Sequence, residues 1–405
     1  MGFHHGLSGL NAASKSLDVS GHNIANSNTI GFKKSRAEFN EMVASAMGSG
    51  QCPGSAGAGI GVSVAAVTQQ FSQGVITPTA NDLDMAINGD GFFVVNTPSG
   101  TAYTRNGAFQ LDKNGFLVTA NGDKVQGWAD ANATGTQPVD LQFPTGAGIP
   151  GRQTTGLSIQ AANLPATAPD AISVTPNTPR HTYGTSLQVY DSQGVAIPVE
   201  VYFVKNGSNT WDVYDTLDPA VTTPVGQVTF DGEGKFVSST VTGLNVDPSA
   251  ANPNNPPAPF NVTLDLSGMT QNDRKWSVDK MTQDGYASGE LTGVNVSKDG
   301  TLMASYSNGL TRPEGKVALA RFTNPQGLAP NGNNNWVQTN DSGPVLYGSA
   351  GSGSFGQIQG AALEESNVDL TAELVGMMTA QRSYQANAQT IKTQDQVFST
   401  LVNLR

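Results

Sequence analysis

Histidine and cysteine most often serve as acid, base, nucleophile or metal ligand near neutral pH. This chain of 405 residues has four histidines and one cysteine. His4, His5 and His22 sit near the N-terminus and His181 stands alone. Adjacent residues such as His4 and His5 point to different faces of a helix, and no carboxylate or thiol stands at ligand spacing, so surface positions are expected. Cys52, in "GSGQCPGSAGAGIG", reads as an incidental thiol in a Gly-rich loop, and a lone cysteine leaves no intrachain disulfide. "DLDMAINGDG" has the outline of a calcium loop, but Ala86 stands fifth, where an oxygen ligand is needed, so a hairpin turn is expected. "GSAGSGSFG", at 348–356, lacks the lysine and the strand-to-helix setting of a phosphate cradle and reads as a flexible connector. Glu364 and Glu365 read as solvated carboxylates near a helix start rather than an acid/base pair. There is no Gly-x-Ser-x-Gly elbow, no His-Glu-x-x-His and no Walker lysine. The expectation is no catalytic residue, no metal site and no cofactor.

A net charge of −11 argues against a phosphate-binding surface, which rests on Lys and Arg displacing counterions. Nucleic acid is therefore not an expected partner. No apolar run approaches the roughly 18 residues of a membrane span, and "MGFHHGLSGLNAAS" lacks the charged region and apolar core of a signal peptide. The chain is expected in the cytoplasm or exported without a cleaved signal, and not inserted in a membrane.

The periodicities show which elements must position these residues. Gly and Pro number 47 and 22, which with 13% charged residues points to many turns and short strands. From Asp369 onward the pattern is helical, with Asp369 as N-cap and a stripe of Leu370, Leu374, Met377, Gln381, Tyr384, Ala388, Ile391, Asp395, Phe398 and Val402. At the other end Phe3, Leu7, Leu10, Leu17 and Ile24 recur at helical spacing. Both stripes are narrow, so the helices are expected to pair as a coiled coil; the alternative is two helices docked on a globular core. Around "SGHNIANSNTIGFKKSRAEF" the helical pattern breaks at an Asn-rich bend and then becomes helix-like again.

Between the ends the period is two. Phe92 to Val95, Phe109 with Leu111, and Phe116 with Val118 mark hairpins. A second block alternates at Val195, Ile197, Val199, Val201 and Phe203, with turns at Gln193-Gly194 and Asn206-Gly207. "GVNVSKDGTLMASYSNG" echoes "GAFQLDKNGFLVTANG", which nests the second block inside the first. The fold is therefore expected to be mainly β with α-helical termini. The expected divisions are 1–30 and 366–405 for the coiled coil, 31–75 and 355–365 for connecting segments, 76–145 and 285–354 for an inner β domain, and 146–284 for an inserted outer β domain.

Three stretches carry a family likeness. Ala25, Asn26, Thr29, Gly31, Phe32 and Lys33 spell Ala-Asn-x-x-Thr-x-Gly-Phe-Lys; "GVSVAAVTQQFSQGVITPTANDLDMAINGDGFF" follows; and "ALEESNVDLTAELVGMMTAQRSYQANAQTIKTQDQVFSTLVNLR" closes the chain. In these the sequence resembles the bacterial flagellar rod and hook axial proteins, and the hook branch most closely, over residues 1–128 and 282–405 and more loosely over 185–215. The stretch around Cys52 departs from it by its length. The resemblance implies a self-assembling subunit of a curved tube, a universal joint passing torque from motor to filament and enclosing an export channel. It implies localisation outside the cell, in the flagellum, after type III export. It also implies as partners copies of itself, a distal rod protein, a hook-filament junction protein, a hook cap and the export apparatus. A distal rod subunit and an extracellular β-rich adhesin or enzyme are the alternatives.

Implied assembly residues are Leu7, Leu10, Leu17, Ile24, Asn26, Gly31, Phe32, Lys33, Leu370, Leu374, Met377, Tyr384, Ile391, Phe398 and Val402. Among them Gly31 is expected to take φ > 0, Phe32 to anchor the chain between neighbouring subunits, and Lys33 with Lys34 to meet acidic surface. Segments before about Ser72 and after about Glu364 are expected to be mobile in the free subunit.

Overall fold

The fold was obtained as a computed structural model, which describes residues 2–43, 59–130, 137–143, 148–171, 180–218, 220–251, 253–254 and 256–403. Cys52 lies outside the described residues. The architecture is mainly β, with one long helix at each end, α1 over Gly2–Ala25 and α2 over Leu370–Asn403. Contacts divide the chain into two units: one of residues 1–143, 293–305 and 311–405, the other of 144–292 and 306–310.

In the first unit α1 and α2 pack against each other. Their sense is antiparallel, because Gly6 faces Ile391 and Gly376 faces Ser20. Asp369 caps α2 as expected, accepting the amides of Thr371 and Ala372 at 2.9 and 3.1 Å. The helix-like reading after the Asn-rich bend is overturned. Ser35–Val43 is a strand, paired antiparallel with Gly59–Gln69 and packed on α1. Asn23 starts it: its side-chain amide donates to the Ser35 carbonyl at 2.8 Å and accepts the Ser35 amide at 2.9 Å, as a neighbouring strand would. That long-range match outweighs the local helix propensity of Ala, Glu and Met.

The rest of this unit is built on a twelve-stranded sheet. Its longest strand, Thr311–Arg321, pairs with Thr301–Tyr306 and Leu346–Ser349 along one edge and with Lys124–Trp128 and Phe92–Thr97 along the other. Strands from both sides of the inserted block therefore alternate in one sheet. Phe92, Val94, Tyr103, Trp128, Phe322 and Trp336 form its core. Two short ribbons stand apart from the sheet: Met85–Asn88 with Gln357–Gly360, and Ile76–Pro78 with Ala362–Glu364.

The second unit has two five-stranded sheets over one core that includes Leu157, Ile159, Phe203, Trp211 and Val213. One is an antiparallel meander from Gly184–Tyr190 to Phe236–Ser239. In the other, Gly156–Pro165 runs parallel to Phe260–Asp265 and Met269–Asn272 and antiparallel to Ser277–Gln283. The expected alternation lies in Ala196–Lys205, with Ile197, Val201 and Phe203 buried. Each turn glycine there, Gly194 and Gly207, has positive φ.

Candidate functional site

The Ala-Asn-x-x-Thr-x-Gly-Phe-Lys motif of residues 25–33 leads to a buried junction. After α1 the Asn26 side chain donates to the His22 carbonyl at 2.9 Å, meeting one of the freed C-terminal carbonyls, and accepts from the Thr29 hydroxyl at 3.2 Å. Gly31 follows with φ of 69°. A Cβ there would lie 2.6 Å from the Arg105 carbonyl carbon and the Asn106 nitrogen, so both conformation and space demand glycine.

Lys33 is 1% exposed, and its Nζ donates to Glu364 Oε1 at 2.5 Å and to the Ser72 carbonyl at 2.8 Å. Arg105 Nη1 donates to Glu364 Oε2 at 3.1 Å, and the Gly74 amide donates to Oε1 at 2.8 Å. The guanidinium also donates to the Gly89 carbonyl at 2.8 Å and stands 5.4 Å from the Phe92 ring centre. One fully buried carboxylate thus serves two buried cations. Glu364 is not the solvated carboxylate expected, and the acidic group that Lys33 meets is this buried carboxylate of its own chain rather than a surface. Phe32 too is buried in its own chain, edge-on to His22 at 5.6 Å, rather than left for another subunit. Only the long-range fold brings these groups together, since Lys33 and Glu364 are 331 residues apart.

Asn367 completes the junction: it accepts the Lys34 amide at 2.8 Å and donates to the carbonyls of Gln70 and Ser72 at 2.8 and 3.1 Å. Sequence reasoning passed over it. Its neighbours Glu365, Ser366 and Asp369 are polar too, so nothing local set it apart.

Burial holds the Lys33 pKa below its ordinary 10.5; Glu364 opposes that shift and Arg105 reinforces it. A lysine lowered in the folded state gives a definite sign. Between its folded pKa and 10.5 the unfolded chain binds the proton and the folded chain does not, so stability from this group rises with pH in that window. Urea unfolding at pH 8 and pH 10 should therefore show wild type gaining on Lys33→Met as pH rises. A wild type that loses ground would contradict the assignment.

The helical stripes need a second correction. Leu370, Leu374 and Tyr384 are exposed, and the side of α2 that meets α1 carries Met377, Ala380, Asn387 and Ile391. On α1 the close approach uses Gly6 and Gly9, whose Cβ positions would stand 2.9 Å from Ile391 and 2.8 Å from Asn387. Leu7 is exposed, while Leu10, Leu17 and Ile24 are half-buried. Small residues on α1 let the backbones approach, so Met377 and Ile391 of the expected stripe share the seam with Ala380 and Asn387, while Leu370, Leu374 and Tyr384 fall outside it. Phe398 and Val402 lie on α2, but their side chains are outside the described residues.

The other sequence features have structural roles. Asp84 accepts from Thr79 and Asn81 at 2.8 and 3.0 Å and organises the turn before Met85–Asn88. The 348–356 stretch is tied down, its Gly356 amide donating to the Asp90 carbonyl at 2.8 Å. His4, His5, His22 and His181 are exposed.

Paired terminal helices around a β-rich middle find their counterparts among known proteins. Residues 3–33 match the family described as Flagella basal body rod protein, and 359–404 that described as Flagellar basal body rod FlgEFG protein C-terminal. These ends define the class, the flagellar rod and hook axial proteins. Residues 86–166 match the Flagellar hook protein FlgE/F/G D1 domain, and 162–286 the Flagellar basal body protein FlaE D2 domain. The flagellar hook protein FlgE of Escherichia coli K12 is 42% identical over 421 residues, covering all of both chains. That of Borreliella burgdorferi is 32% identical over 443 residues, covering 99% of each. The chain belongs to the flagellar hook protein family, whose members are structural subunits rather than enzymes. The crystal structure of the Helicobacter pylori flagellar hook protein FlgE2 shares its fold, with a TM-score of 0.53 at 17% identity, over 71% of this chain and all of that one.

Proposed function

We infer that the chain is a structural subunit of the flagellar hook that assembles with copies of itself into a curved, flexible tube. The observation that carries this reading is the uncovered apolar ridge on α2. Leu370, Leu374, Val375 and Met378 are 44, 44, 50 and 49% exposed on the side away from the α1 seam. Water-exposed apolar side chains in such a row favour burial against another surface. The hairpin adds Phe39, Val64 and Val67, each about 40% exposed.

In the assembled tube the paired helices line the export channel, where the Gln, Asn and Thr of α2 keep the wall wet and weakly adhesive. The first unit's sheet forms the tube wall and the second unit lies outermost. Sliding of polar outer contacts accommodates bending, so that the tube acts as a universal joint. The assembly residues named from the sequence divide accordingly. Leu7, Leu370, Leu374 and Tyr384 face neighbouring copies; Met377 and Ile391 join α2 to α1; Asn26, Gly31, Phe32 and Lys33 set the angle at which the chain leaves the helix. Lys34 replaces Lys33 as the group offered to a neighbour's acidic surface. With Arg36 it lines a cleft of about 190 Å³ between α1 and the hairpin.

Subunits leave the cell through the flagellar export apparatus and add beneath a cap. The tube joins a distal rod protein at one end and a hook-filament junction protein at the other. Electron microscopy of the purified chain after salting out tests the reading. Curved tubes are expected; straight tubes would favour a rod subunit, and no tubes an adhesin or enzyme.

A further inference from the structure

We propose that residues 31–34, 72–78 and 361–367 form a clasp that opens as one cooperative unit, freeing the terminal helices from the sheet of the first unit while that sheet stays folded. Three chain segments meet between the terminal helices and the sheet: residues 31–34, which lead from α1 to the hairpin, and residues 70–75 and 364–369, which lead to the sheet and back from it. Each segment is bonded to the others. The Gln70 amide donates to the Lys34 carbonyl at 2.8 Å, the Gly31 amide to the Glu364 carbonyl at 2.8 Å, and the Glu365 amide to the Val75 carbonyl at 2.8 Å. Glu364 is shared by all three through Lys33, Gly74 and its own strand.

The ribbon of the clasp, Ile76–Pro78 with Ala362–Glu364, belongs to no larger sheet, whereas the buried ribbon of Met85–Asn88 with Gln357–Gly360 stays with the sheet, the Met85 amide donating to the Gly107 carbonyl at 3.0 Å and the Ile358 amide to the Lys298 carbonyl at 3.1 Å. The hydrogen bonds of the clasp ribbon can therefore part without breaking a rung of the twelve-stranded ladder. The chain stays attached through Phe71, whose ring stands 5.6 Å from Phe92 and 5.5 Å from Trp336 in the core of the sheet. Opening is favoured by electrostatics. Lys33, Arg105 and Glu364 together hold a surplus positive charge away from water, which exposure would solvate. Closed, the clasp makes helices and sheet move as one body; open, it lets them move separately. Cooperative units of this size commonly open below the global unfolding free energy.

Native-state amide hydrogen exchange on the full chain tests this. In wild type, the amides of Gly31, Gly74 and Glu365 should exchange through an opening with a smaller urea dependence than the amides of Phe92–Thr97 and Thr311–Arg321. Equal dependences would overturn the proposal. Glu364→Gln leaves two buried cations without a counter-charge, so it should speed exchange at the clasp amides by about a hundredfold or more, with sheet amides changed only a few-fold. Acceleration of clasp and sheet alike, or of neither, would overturn it. Lys33→Met removes the surplus charge and leaves Arg105 paired but also deletes the bonds to Glu364 and the Ser72 carbonyl, so clasp amides should speed up far less than in Glu364→Gln, and an equal acceleration would refute the charge argument. If Glu364→Gln does not fold, the wild-type urea dependences decide.

Discussion

Replacing Gly31 by Val is expected to leave both β cores folded and to abolish tube formation, and Gly31→Ala should do nearly the same. The reason is the Cβ rather than the branch. Any Cβ at this position meets backbone atoms of Arg105 and Asn106 at 2.6 Å, and backbone has no rotamer by which to withdraw. The φ of 69° adds strain for every residue with a side chain. Displacing the loop instead forfeits the Gly31 amide bond to the Glu364 carbonyl and pulls Lys33 from its carboxylate. Strain and one lost hydrogen bond together come to about 2–4 kcal/mol at the junction. The sheet of the first unit and the sandwich of the second do not use this residue. Near-UV circular dichroism, which reports Trp128, Trp211, Trp276 and Trp336, should therefore be retained while electron microscopy finds no tubes. Normal tubes from Gly31→Ala would show that the loop tolerates a Cβ and that its geometry does not govern assembly.

Gly31 also marks how far the sequence can be read. A helix ending in "ANSNTIG" needs a left-handed residue, and glycine is the one available, so its φ was legible locally. What fills the space beside it was not, because Arg105 is 74 positions away. Local periodicity likewise identified the strand holding Ile197, Val201 and Phe203, and placed α2 with its Asp369 cap. It failed where a distant partner decides the outcome. Ser35–Val43 carries good helix formers, yet Asn23 and the strand Gly59–Gln69 hold it extended. Glu364 sits in a run that suggests solvent, yet Lys33 and Arg105 converge on it. The α2 seam was placed only in part: Met377 and Ile391 of the expected stripe do face α1, but the close approach at Gly6 and Gly9 brings in Asn387, which a hydropathy pattern passes over. Leu370, Leu374 and Tyr384 of the same stripe were the ones left over for another surface.

That remainder sets the size of the second effect. A chain ending at Val368 keeps Glu364, Asn367 and every clasp bond, so both β cores should fold and stay soluble. It loses α2, and with it the ridge of Leu370, Leu374, Val375 and Met378. Each of these is already half-covered, so docking another copy on it gains about 1 kcal/mol per side chain against the 1.5–3 of full burial. Four together give about 4 kcal/mol for each subunit contact, a factor of roughly a thousand in affinity. A helical polymer repeats that contact at every subunit, so weakening it should take assembly below threshold at any ordinary concentration. The truncated chain should form no tubes, and tubes of normal diameter would refute an assembly role for α2. Truncation also strips α1 of its seam, so the full-length variant Leu374→Ser with Met378→Ser separates the two causes. It keeps Met377, Ala380, Asn387 and Ile391 against α1, and should retain helix content by far-UV circular dichroism while losing tubes. Tubes from this variant, with none from the truncation, would move the essential contact from the ridge to the α1–α2 pair itself.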